Sequence, residues 1–161
     1  MREAVAIQMT WPGAPTVYYG DEAGVCGFTD PDNRRTYPWG HEDESLIDFH
    51  KKMIGIHKSY RVLKTGSTEF LWNDYQGLCY GRFSHNEQII VVINNRDEER
   101  EAVIEIWKTG ITRLEDTVMD RLMLSHKFGF TDEKETMTAK AGILHLYMPA
   151  YSVTILHHKG E

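Results

Sequence analysis

The chain has 161 residues, 41% hydrophobic and 26% charged, with 18 Lys plus Arg against 24 Asp plus Glu for a net charge of −6. That length allows one domain, or one domain plus part of another, and the composition is that of a folded protein rather than a disordered one. The mild acidity argues against a nucleic-acid binder, which shows a basic face, and no apolar run approaches the ~18 residues a membrane-spanning helix needs.

Met1–Met9 reads as a helix, since good helix formers run from the first position and no capping residue precedes them. The segment has neither the apolar run nor the cleavage site of a signal peptide. A helix already under way at position 1 suggests a chain cut from something longer. Trp11-Pro12-Gly13 ends it. Ala14–Tyr19 is then predicted as a short buried strand, with Pro15 confined to its beginning and Tyr18 and Tyr19 in the core. Gly20 to Gly40 is a long connection without periodicity, of the kind that usually carries function.

The second helix is the clearest element. Leu46, Phe49, His50, Met53, Ile54, His57 and Tyr60 share one face at spacings of three and four, and Asp43 is placed to cap it. After Lys64-Thr65-Gly66 the period becomes two. Strands are predicted at 68–73, 77–84, 88–95, 102–107, 136–138, 144–148 and 152–157. The mixed-charge run Arg96–Glu101 reads as a solvated hairpin tip, and residues 111–135 yield no assignment. The two cysteines, Cys26 and Cys79, are too few for a disulfide scaffold and are expected as reduced, largely buried thiols, with one bridge left open.

One strand feeding one helix cannot bury itself, because the strand needs neighbours and the helix needs a sheet to lie on. Residues 1–63 are therefore expected to be the remnant of a (β/α)8 barrel, as helix, strand, loop and helix. Such barrels carry their active-site loops after the strands, the position that Gly20–Gly40 would occupy. Residues 66–161 are expected to form an antiparallel all-β sandwich.

Gly13-Ala14-Pro15-Thr16-Val17-Tyr18-Tyr19-Gly20-Asp21-Glu22, followed by Asp30-Pro31-Asp32-Asn33-Arg34-Arg35 and Tyr37-Pro38-Trp39, resembles the eighth strand and following loop of α-amylase-family glycoside hydrolases. The neopullulanase, cyclomaltodextrinase and amylopullulanase-like members are the most similar. Lys58–Gly66 resembles that family's last barrel helix, and the closing Tyr151-Ser152-Val153-Thr154-Ile155-Leu156 its C-terminal sandwich. The resemblance implies a parent enzyme that hydrolyses α-glucosidic bonds in starch, pullulan or maltodextrins. It also implies three catalytic carboxylates, on strand four, strand five and after strand seven, all upstream of Met1. Retaining glycosidases hold nucleophile and acid about 5–5.5 Å apart. Asp21 and Glu22, adjacent in sequence, do not replace them, so no catalytic residue is assigned and the chain alone is expected to be inactive.

Asp30 and Arg34 are the candidate substrate-binding residues. A carboxylate accepts from sugar hydroxyls and a guanidinium donates several hydrogen bonds in a fixed fork, and the resemblance implies that both would line glucose subsites. The competing reading is a salt bridge that holds the loop, which is favoured for the isolated chain. Asp21 and Glu22 would support catalytic groups by hydrogen bonds, or simply cap the loop. Phe28 and Trp39 could stack on sugar rings, though packing the loop is the commoner task. Trp72, Tyr75 and Tyr80 could form a carbohydrate face or ordinary cross-strand pairs.

The eight histidines lack zinc-site spacing, and no metal or cofactor is expected. The expected partner is α-glucan or maltooligosaccharide in the full-length enzyme, with no nucleic acid and no membrane. Self-association through the exposed barrel remnant is expected as well. The alternative is a non-catalytic α-glucan-binding or assembly module built on the sandwich.

Overall fold

The computed structural model describes residues 1–112 and 115–160. Three helices come first: α1 (Arg2–Thr10), α2 (Glu44–Ser59) and the one-turn α3 (Val62–Thr65). The Asp43 carboxylate accepts from the Leu46 N–H at 3.0 Å, which satisfies one of the amides a helix start leaves open. Leu46, Phe49, His50, Met53 and Ile56 are buried along α2. The predicted stripe therefore holds, with Ile56 taking the deeper place expected of Ile54.

Nine strands follow among the described residues: β1 (Ser67–Asp74), β2 (Gly77–Phe83), β3 (Glu87–Asn94), β4 (Arg100–Glu105), β5 (Thr117–His126), β6 (Gly129–Thr131), β7 (Glu135–Ala139), β8 (Ile143–Met148) and β9 (Ser152–Lys159). Among the described residues the larger sheet runs β1-β2-β3-β9-β5-β6, with β7 also on β5, and β4 pairs with β8 in a second sheet. Every pairing is antiparallel.

The central strand β3 is apolar on both faces because both are covered. Ile89, Val91 and Ile93 join a cluster with Val5, Ala6 and Met9 of α1, Phe49, Met53 and Ile56 of α2, and Val62 and Leu63 of α3. Ile90 and Val92 join Ala102 and Ile104 of β4 and Leu144, Leu146 and Met148 of β8 on the other side. The molecule thus has three layers: helices, large sheet, small sheet. The helices and the sandwich share one core.

Arg82 sits at the seam between them, fully buried. Its guanidinium donates to the carbonyls of Thr10 at 2.7 Å, Gly66 at 2.9 Å and Ser67 at 3.4 Å. The Thr10 carbonyl lies at the end of α1, where a cation suits the negative pole of the helix. Thr10 Oγ1 lies 2.6 Å from Tyr80 Oη, and the Trp11 ring meets that of Tyr80 edge-on at 5.2 Å. His57 places Nδ1 2.8 Å from the Met9 carbonyl. Gly66 is obligatory here: a Cβ would lie 2.4 Å from the Val62 carbonyl oxygen and 2.8 Å from that of Phe83.

Three expectations are corrected. Ala14–Tyr19 joins no strand ladder. A strand is stabilised by its neighbours, and among the described residues no strand pairs with this segment, so Tyr18 and Tyr19 are 51% and 55% exposed rather than core. Residues 1–63 are accordingly helix, extended connection and helix, with no closed barrel among the described residues. Arg96–Glu101 is not a hairpin tip, because it carries the chain from β3 in one sheet to β4 in the other, where Ala102 and Ile104 can meet Ile90 and Val92. Finally, both cysteines are free, but only Cys79 is buried; Cys26 is exposed in the loop. The unassigned stretch contains β5 and β6.

Candidate functional site

The loop from Gly20 to Gly40 is organised by its own backbone. Gly20 and Gly24, with φ of 90° and 78°, flank a 3-10 turn at Asp21–Ala23, a backbone geometry that suits glycine. The Val25 N–H donates back to the Gly20 carbonyl at 3.1 Å, and the Asp43 N–H to that of Ala23 at 3.2 Å, which ties the turn to the start of α2. A second 3-10 turn spans Asp32–Arg34. The two limbs approach closely at Gly27, where a Cβ would stand 2.5 Å from the Asn33 Cα.

Asp32 is the internal brace. Its carboxylate accepts from the Phe28 N–H at 3.2 Å and from Arg35 Nε and Nη2 at 2.8 and 2.6 Å. The hydrogen bond from Arg35 holds that carboxyl below the usual range. Sequence reasoning gave Asp32 and Arg35 no role.

Asp30 and Arg34 are brought together, with Arg34 Nε 3.1 Å from Asp30 Oδ1. The pair braces the loop, yet the side chains remain 70% and 57% exposed. Exposed ion pairs contribute little to stability, and Asp32 differs from Asp30 in also bonding the loop backbone, at the Phe28 N–H. Asp21 and Glu22 lie half-buried on the other turn, apart from the Asp30–Arg34 pair. Phe28 and Trp39 do not pack the loop as expected. They are 90% and 80% exposed, Trp39 resting against Tyr37 with ring centroids 4.6 Å apart. The same loop thus presents two exposed aromatic rings and the exposed Asp30–Arg34 ion pair. Such a surface can hold a hydroxylated ring, with apolar faces stacked and hydroxyls bonded to Asp and Arg.

The sandwich aromatics do not converge. Tyr80 is buried beneath Trp11, and its phenol is pushed up to about 12 by burial. Trp72 lies under Arg100, whose guanidinium carbon is 4.5 Å from the ring centroid, and Tyr75 stands alone in solvent. The histidines on α2 bond to backbone, His50 Nδ1 lying 2.9 Å from the Leu46 carbonyl. Among the described residues no cluster of His, Cys, Asp or Glu could hold a metal ion, and no helix is long and apolar enough to cross a membrane.

No family model matches the chain. It is 38% identical over 118 residues to an amylopullulanase of Thermoanaerobacter thermohydrosulfuricus, covering 67% of this chain and 8% of that protein. It is 34% identical over 113 residues to neopullulanase 2 of Thermoactinomyces vulgaris, covering 68% and 19%. The crystal structure of a debranching enzyme from Nostoc punctiforme superimposes with a TM-score of 0.75 at 28% identity, over 99% of this chain and 30% of that one. The chain is homologous to the α-amylase-family glycoside hydrolases. It spans less than a fifth of either curated relative. Its antiparallel sheets match the C-terminal β-sandwich of α-amylase-family enzymes.

Proposed function

We propose that the chain works as the C-terminal part of an α-amylase-family enzyme that hydrolyses α-glucosidic bonds in starch, pullulan or maltodextrins. Residues 1–63 would complete its catalytic barrel and residues 66–161 form its sandwich. Asp30 and Arg34 would bind glucose units, and Asp21 and Glu22 would support the catalytic groups. One observation carries the reading: the Gly20–Gly40 loop is held in a set shape by Asp32 and its glycines, yet it turns Asp30, Arg34, Phe28 and Trp39 outward. A loop folded for its own stability would bury those rings.

The loop's carboxylates do not form an acid and nucleophile facing each other across a bond. Asp30 and Asp32 pair with arginines, Asp43 caps α2, and Asp21 and Glu22 are neighbours on one turn. The pure chain is therefore expected to be inactive, and the exposed rings of Tyr18, Tyr19, Phe28 and Trp39 would drive it to self-associate. The test is hydrolysis of pullulan and maltoheptaose by the pure chain, followed by chromatography of the products. No product is expected, and any released glucose, maltose or panose would overturn the assignment of the chemistry to residues outside this sequence.

A further inference from the structure

We infer that the Arg35–Thr36 peptide bond is a processing site for a trypsin-like serine endoprotease, and that the cut chain remains one folded particle of two pieces. The inference stands whatever the loop binds. Arg34-Arg35 is the one pair of adjacent arginines in the sequence. Both side chains are more than half exposed, at 57% and 58%, and Thr36 is exposed beside them. Endoproteases hold a substrate as an extended segment whose backbone bonds to their own, while a pocket takes the side chain before the cut. Arg35 already has that form, with φ of −65° and ψ of 157°, and no regular structure spans 35–38. The other described lysines and arginines lie in helices, a 3-10 turn or strands, or in the connections 60–61, 95–99, 127–128, 132–134 and 140–142. Links this short cannot be drawn into a protease cleft without breaking the elements that flank them. In the longest of them Arg96 is held at both backbone groups: its carbonyl accepts from the Tyr151 N–H at 2.8 Å, and its N–H donates to Asn94 Oδ1 at 3.3 Å. Residues 24–43, by contrast, hold only the 3-10 turn at 32–34, and exposed loops of that kind are the preferred places for nicking.

Asp32 is the brake on this cut. Its carboxylate accepts from Arg35 Nε and Nη2 at 2.8 and 2.6 Å, so the guanidinium must leave it to enter a protease pocket. Cleavage of a transiently opened segment follows the population of the open form, and an exposed ion pair restrains that opening only weakly. Water then adds across the amide: the C–N bond breaks, Arg35 ends in a carboxylate and Thr36 begins with an ammonium. The two pieces stay together because each is anchored away from the cut. Residues 1–35 carry α1, whose Val5, Ala6 and Met9 lie in the same buried cluster as Phe49 and Ile89. The Thr10 carbonyl accepts from Arg82 at 2.7 Å and its hydroxyl bonds Tyr80 at 2.6 Å. Two further bonds cross from one piece to the other close to α2: the Asp43 N–H donates to the Ala23 carbonyl at 3.2 Å, and Arg2 Nη2 to Ser45 Oγ at 2.8 Å.

The test is digestion of the full chain with trace trypsin in dilute solution, where association through Phe28 and Trp39 falls away. Mass spectrometry identifies the products and native gel filtration follows the particle. The first products are expected to be 1–35 and 36–161, eluting together at the volume of the uncut chain and with its circular dichroism. Asp32→Ala is expected to speed this cut about threefold, the weight of an exposed ion pair. Asp32→Asn is the second variant, and the dichroism of each uncut variant separates a freed loop from a lost fold. A first cut at any other lysine or arginine would overturn the site. Pieces that separate or unfold would overturn the two-piece particle, and an unchanged rate in both Asp32 variants would overturn the brake.

Discussion

The helix-on-sheet seam and the Gly20–Gly40 loop are built from the same stretch of chain and obey opposite rules. At the seam, Val5, Met9, Phe49 and Met53 are sealed against Ile89, Val91 and Ile155, and the polar groups that must come along are bonded to Arg82, Tyr80 and His57. In the loop, side-chain bonds shape the backbone and the large rings are left uncovered. The contrast separates two tasks: the seam generates stability, and the loop spends almost none of its side chains on it.

Substitutions should follow that division. Phe49→Ala removes a ring fully buried against Phe130 at a centroid separation of 5.2 Å and should cost about 3–5 kcal/mol, read as a lower urea midpoint. A cost under about 1 kcal/mol would mean that the helices are not sealed to the sheet. Arg82→Met leaves the Thr10 and Gly66 carbonyls buried without their donor and should cost about 2–3 kcal/mol. Hydrogen exchange should show α1 losing protection before β3 and β9 do. Asp43→Ala deletes the α2 cap and should cost about 1 kcal/mol. This variant sharpens the comparison, because Asp43 touches both regions. Trp39→Ala should change stability by less than about 0.5 kcal/mol yet lower the sedimentation coefficient by reducing self-association. A clear fall in melting temperature would place Trp39 with the seam instead.

What was legible in the sequence follows the same line. The α2 stripe and its Asp43 cap depend on local spacing, and both could be read. So could β8, whose alternation is regular, and β1 to β3, which are bounded by turn residues. The run Ala14–Tyr19 has the composition of a strand, but strand formation depends on partners that lie elsewhere, and here none is present. β5 escaped notice because its register shifts between Arg121 and Met123 where it pairs with β9, which breaks the period of two. Arg82 looks like a surface residue by type; only its position two residues after Tyr80, in a strand buried on both faces, hinted otherwise. The adjacency of β3 and β9, more than fifty residues apart, left no local trace. At the loop, Asp30 and Arg34 were proposed through the resemblance, whereas the brace at Asp32 and the outward turn of Phe28 depend on the fold of the loop itself.

The three-layer arrangement bears on how the protein can be divided in the laboratory. A cut at position 66, which the change of periodicity invites, would strip the cover from Tyr80, Ile89, Val91, Ile93, Val153 and Ile155 at once. The excised strands would present a broad oily sheet face to water and precipitate or form inclusion bodies. The smallest portable unit therefore keeps the first sixty residues, even for a worker interested only in the strands.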